Sequence, residues 1–134
     1  AISLHAIPFL QAFLPKIKGL SFAPISIVNQ GRVAISDEIG ELFSSKISII
    51  LIGERPGLSS PYSMGIYLTY NPKAGNTDEK RNCISNIRTG GLPYTYAAEK
   101  LAFLCSEALR LKLSGVHLKD TFDHHLLSNE SGKD

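Results

Sequence analysis

Residues 46–52 constrain the chain most. They read K-I-S-I-I-L-I, apolar at nearly every position, and run straight into Gly53-Glu54-Arg55-Pro56-Gly57. A strand with one wet face alternates apolar and polar residues, whereas an unbroken apolar run belongs to a strand covered on both faces. The run falls far short of the roughly eighteen apolar residues that a membrane span requires. The rest of the chain must therefore supply the covering elements, and helices are legible on both sides of it. Residues 3–18 place Leu4, Ile7, Leu10, Phe13, Leu14 and Ile17 at three- and four-residue steps. Pro8 inside that pattern predicts a kink or a late start, and Gly19 a stop. Ser36 is suited to cap a second helix running to about Phe43, with Asp37 and Glu38 in the first turn, where the helix dipole favours negative charge. Residues 94–111 give the strongest helical pattern, with Ala97, Leu101, Leu104, Cys105, Ala108 and Leu111 on one face and Gly115 as the stop.

Further strands are expected at residues 24–28, 64–70 and 116–118, while 83–87 reads equally as strand or turn and 71–80 as a polar loop. Strands alternating with helices predict an α/β fold, an open sheet with flanking helices. A length of 134 residues suits a single domain. Residues 1–120 are expected to form it and the polar residues 121–134 to fray. Lys and Arg total 14 against 12 Asp and Glu, a net charge of +2 that gives no field favouring nucleic acid or an anionic membrane. The two cysteines, Cys83 and Cys105, are too few for a disulfide framework or a four-cysteine zinc site, which points to a reducing, intracellular home. Lys16 and Lys18 follow the apolar N-terminal stretch where a secretory signal would have them precede it. The chain opens on Ala1-Ile2 within a predicted helix, so it reads as a piece of a longer product.

The loop after the buried run is the leading candidate for chemistry, because open α/β sheets bind ligands beyond the carboxyl ends of their strands. Gly53 and Gly57 allow close backbone approach, Pro56 stiffens the loop, and Glu54 offers an acceptor to hydroxyl or amide donors. A plain turn carrying two solvated charges accounts for the same residues, since no phosphate-loop spacing is present. Cys83 lies beside Arg81, which could acidify its thiol for nucleophilic work, although packing is the commoner role of such a cysteine. Cys105 reads as core. His5, His117, His124 and His125 lack carboxylate or thiol partners at metal-binding spacing. Tyr62, Tyr67, Tyr70, Tyr94 and Tyr96 could form a ligand or subunit surface, and no Ser-His-Asp triad is specified.

Five blocks in order carry a resemblance: Q-G-R-V-A-I-S-D-E-I-G at 30–40, L-I-G-E-R-P-G-L-S-S at 51–60, G-I-Y-L-T-Y-N-P at 65–72, R-N-C-I-S-N-I-R at 81–88 and S-G-V-H-L-K-D at 114–120. Together they resemble the light (small) subunit of ethanolamine ammonia-lyase. That resemblance implies a Rossmann-like α/β domain and an adenosylcobalamin enzyme converting ethanolamine to acetaldehyde and ammonia. Its cofactor would lie between this chain and a large catalytic subunit. It also implies cobalamin-binding roles for Val33, Glu54 and Cys83, whose separations fit the family pattern when one residue of length difference is allowed in the 71–80 loop. Cys83 then serves as a contact and not a nucleophile. No catalytic or metal-ligating residue is expected in the chain itself, and neither a nucleic-acid nor a membrane partner. The family further implies a bacterial cytoplasmic setting, within an ethanolamine-utilisation microcompartment. Family light subunits also carry an N-terminal region ahead of the first helix here. Two other readings stand beside this one: a free-standing small-ligand-binding α/β module, and an independent enzyme using Cys83.

Overall fold

β2 (Met64–Tyr70) forms the middle of a three-stranded antiparallel sheet, flanked by β1 (Ile47–Gly53) and β3 (Arg81–Ile87). The structure is a computed structural model that describes residues 2–54, 62–118 and 121–122. Three α-helices accompany the sheet among the described residues: α1 (Ile2–Phe13), α2 (Ile35–Leu42) and α3 (Tyr94–Leu111). Every strand is seven residues long, enough to present three or four side chains to each face.

One face of the sheet carries Met64, Ile66 and Leu68 of β2 with Ile84 and Ile87 of β3. It packs against Phe9, Phe13 and Ile17 from the first helical segment and Ala97, Ala98, Leu101, Leu104, Cys105 and Ala108 of α3. The helical period read in residues 94–111 is the face that α3 buries, except that Leu111 at its end is exposed. Each fully buried Leu, Ile or Phe contributes about 1.5–3 kcal/mol of transfer free energy, so this layer is the main cohesive element. α1 starts at Ile2, ahead of Pro8, so the late start expected from that proline does not occur. Phe9 and Phe13, stacked at 5.6 Å, dock the helix on the core and offset the backbone bond that Pro8 cannot make.

The sheet differs from the Rossmann-like expectation. A parallel sheet needs crossovers of a dozen or more residues, usually helices, between its strands. Here consecutive strands are neighbours, and the 71–80 connection holds only the 3-10 turn Asp78–Lys80. The helices stand before β1 and after β3, not between strands. Two expected strands are absent, which removes the remaining alternation. Residues 24–28 carry no regular structure and lie in a segment, 21–30, that is exposed throughout, with Ile27 at 93%. Their β-branched residues had suggested a strand, but no neighbouring strand accepts them. Residues 116–118 overlap a 3-10 turn, Gly115–His117. Gly115 sits at φ +85° with its α-carbon tight against the Glu79 and Lys80 backbone, where any side chain would collide. Its N–H is taken by the Asn82 side chain at 2.6 Å instead of by a ladder. α3 itself ends before Gly115, at Lys112 in the left-handed region. Residues 83–87 resolve as strand. The tail expected to fray from 121 is docked at its start, where buried Phe122 meets Tyr96 and Phe103 at ring distances of 5.3 and 5.7 Å. Residues 123–134 lie outside the described residues.

α2 covers part of the opposite face. Ser36 does not cap it. Ala34 holds that position, and the Ser36 hydroxyl turns back to the Val33 carbonyl at 2.8 Å. Asp37 reaches across to Arg81 of β3 in a two-pronged pair, with Nη1–Oδ1 at 2.9 Å and Nη2–Oδ2 at 2.7 Å. Their side chains are 2% and 1% exposed. Removing one partner of such a buried pair strands the other charge and costs about 3–5 kcal/mol. Asp37→Ala should lower the unfolding free energy by that amount in urea titrations. The double substitution Asp37→Leu with Arg81→Met should recover most of the loss.

Candidate functional site

The same face becomes open beyond α2. In register, Ile50, Tyr67 and Cys83 stand side by side across the three strands, and the next row pairs Ile52 with Gly65. Ser48, Thr69 and Arg81, under α2, are buried, whereas Ile50, Ile52 and Tyr67 are half-buried and Cys83 and Ser85 exposed. The result is a shelf with an apolar floor, walled by α2 at one end. Glu54 stands at the other end. Its N–H donates to the Ser63 carbonyl at 3.0 Å, so the β1–β2 ladder extends one pair past Gly53 and keeps Glu54 on the shelf side.

Among the described residues Glu54 is anchored through one oxygen. Its Oε1 accepts the Ser63 hydroxyl at 2.9 Å and the Asn86 backbone N–H at 2.8 Å. The second donor exists because β3 bulges. From Met64 to Ile66 β2 advances two residues while β3 advances three, from Ile84 to Ile87. The extra residue frees an N–H from the ladder, and Asn86 takes up φ 64°, a left-handed conformation that asparagine tolerates. Gly65 lies beside this arm, where a Cβ would make ordinary van der Waals contact with the Glu54 side chain at 3.4–3.5 Å. Oε2 takes no hydrogen bond among the described residues. A carboxylate with one oxygen fixed and one open is a directed acceptor for amide or hydroxyl groups.

Tyr67 stands beside Cys83 in register, on the face whose end Glu54 occupies. Its phenol is held above the ordinary value, first by its electrostatic interaction with the neighbouring Cys83, then by burial, with the Glu54 carboxylate adding to the effect. The Cys83 thiol lies 3.2 Å from the Ser85 hydroxyl. Arg81, the neighbour that could acidify that thiol, gives its guanidinium to Asp37 and Asp78. Of the three residues that the resemblance picked out, the structure puts Cys83 beside Tyr67 in register and Glu54 at the strand end on the same face of the sheet. Val33 sits half-buried in the turn leading into α2, and no hydrogen bond among the described residues joins it to the other two. Residues 55–61, with Pro56 and Gly57, lie outside the described residues, as do His124 and His125. His5 is buried, bridging Tyr94 and the Tyr62 carbonyl, and His117 is exposed. Among the described residues no group of three His, Cys, Asp or Glu could hold a metal ion.

Ser63, Gly65 and Asn86 were not legible as site residues. Their roles depend on the β1–β2 register and on the bulge, neither of which is encoded in local spacing. Tyr67 stood among five tyrosines with nothing to single it out until the register set it beside Cys83. A separate cavity of about 310 Å³ opens at the start of α3, lined by residues that include Arg88, Gly91 and Tyr94 and none of the three candidates.

Residues 1–119 match the family described as Ethanolamine ammonia-lyase light chain (EutC). Proteins named ethanolamine ammonia-lyase small subunit are similar to the chain at high identity. That of Azotobacter vinelandii is 57% identical, with 90% of this chain and 45% of the relative covered. That of Pseudomonas fluorescens is 52% identical, with coverage of 100% and 50%, and that of Xanthomonas campestris 53%, with 98% and 49%. The chain spans about half the length of the curated relatives it matches.

The two thiols differ sharply. Cys105 is buried, which pushes its thiol up to about 12, while Cys83 is exposed. Iodoacetamide at neutral pH should label Cys83 alone in the folded chain and both cysteines after denaturation, read by intact mass. Cys83→Ser should abolish the native label.

Proposed function

Because the chain belongs to the ethanolamine ammonia-lyase light-chain family, we propose that it forms the cobalamin-contacting part of the small subunit of that lyase. In this reading adenosylcobalamin lies between the shelf and a large catalytic subunit. The observation that carries it is Glu54 at the end of an apolar shelf, its Oε1 held by two donors and its Oε2 without a hydrogen bond among the described residues.

The donor set suits such a group. Cobalamin is broad and flat, with apolar ring surface and amide arms at its rim. Ile50, Ile52 and Tyr67 offer apolar contact, Gly65 adds no obstructing side chain, and Glu54 offers an acceptor for an amide N–H. Cys83 contributes exposed contact surface in the same row as Tyr67, and half-buried Val33 adds apolar surface from the lead-in to α2. When bound, the cofactor supplies the radical chemistry that turns ethanolamine into acetaldehyde and ammonia. This chain's own residues bind, orient and shield, and none is given a catalytic role. No helix among the described residues is long and apolar enough to cross a membrane. The family reading sets the protein in the bacterial cytoplasm, within an ethanolamine-utilisation microcompartment.

The test uses the enzyme assembled from the large subunit and this small subunit, with cobalamin binding followed by absorbance. Glu54→Gln retains an acceptor for Ser63 and Asn86 but replaces the open oxygen with a donor. Loss of one hydrogen bond to a charged group is worth about 1.5–3 kcal/mol, so the dissociation constant should rise about tenfold or more. Unchanged affinity would remove Glu54 from the cofactor site. A small subunit that fails to co-purify with the large one would remove the reading as a whole.

A further inference from the structure

We infer that Ser63 is a positioning residue for the cobalamin contact, acting through Glu54. The inference rests on the reading that Glu54 accepts a hydrogen bond from the cofactor. Ser63 is 3% exposed, immediately precedes β2, and is fixed by its carbonyl, which accepts the Glu54 N–H at 3.0 Å. Its hydroxyl donates to Glu54 Oε1 at 2.9 Å, and the Asn86 N–H meets the same oxygen at 2.8 Å. Two donors on one oxygen make that oxygen a pivot. With Oε1 held, the carboxylate plane and the direction of Oε2 are fixed before any ligand arrives.

A glutamate left free on a strand end samples several rotamers, and ordering such a side chain costs up to about 2 kcal/mol. Fixing it in advance removes part of that cost from binding. The Asn86 donor is backbone and cannot be deleted by substitution. Ser63 is the part of the pivot that sequence can change. Its hydroxyl therefore controls how well Glu54 is presented without touching the cofactor.

The experiment is a double-substitution cycle in the assembled two-subunit enzyme, with cobalamin affinity read by absorbance and thermal midpoints measured alongside. Ser63→Ala should raise the dissociation constant severalfold when Glu54 is present. It should add nothing in the Glu54→Gln background, where the oriented acceptor is already lost. Ser63→Thr, which restores a hydroxyl, should bind more tightly than Ser63→Ala. Equal weakening by Ser63→Ala in both backgrounds, or no weakening in either, overturns the inference even if Glu54→Gln itself weakens binding. If Glu54→Gln leaves affinity unchanged, the failure lies with the cofactor reading, and the role of Ser63 falls with it.

Discussion

A guanidinium that has left water needs its donors met, and Arg81 finds five acceptor oxygens: both carboxylate oxygens of Asp37, Oδ1 of Asp78, Oγ1 of Thr69 and the Asn76 carbonyl. The strand, the loop before it and α2 meet at this one side chain. The ion pair is not a large net source of stability, because desolvation offsets most of its attraction. Its effect is positional. An apolar contact would let α2 slide over the sheet, whereas a two-pronged carboxylate–guanidinium pair fixes its register. Where α2 stops, the open shelf begins, so the ion pair sets the boundary of the candidate site.

The far end of the shelf is set by a different device. A bulge in β3 breaks the ladder and releases the Asn86 N–H, and Glu54 accepts it. The residue that the resemblance marks for the cofactor is thus also part of the sheet's own hydrogen bonding. The two readings of Glu54, a turn residue and a ligand acceptor, are compatible because the carboxylate has two oxygens and the described residues occupy one.

Exposed apolar residues accumulate outside the sheet, at Phe22, Ile25, Ile27 and Val28 in the segment before α2 and at Leu42 and Phe43 at its end. They flank the elements that frame the shelf. The curated relatives are named small subunits, and the chain spans about half their length.

Periodicity alone located α3 and β2, whose apolar patterns match what they bury. It located α1 and β1 as well, but α1 buries His5, Phe9 and Phe13 while Leu4 and Ile7 of the predicted face are exposed, and β1, read as covered on both faces, is a half-buried edge strand. It marked Glu54 as well, through the strand-then-glycine pattern. Tertiary structure decided the rest. The strand direction depends on which connections carry helices, and the misread segments 24–28 and 116–118 had supplied false alternation. Asp37 read as a dipole partner at a helix start, and only the folded chain brought Arg81, forty-four positions away, to its carboxylate. The company of Ser63 and Asn86 around Glu54, and of Cys83 beside Tyr67, likewise depends on strand register and one extra residue in β3. Both are non-local quantities, set by which strands pair and not by what any one segment prefers.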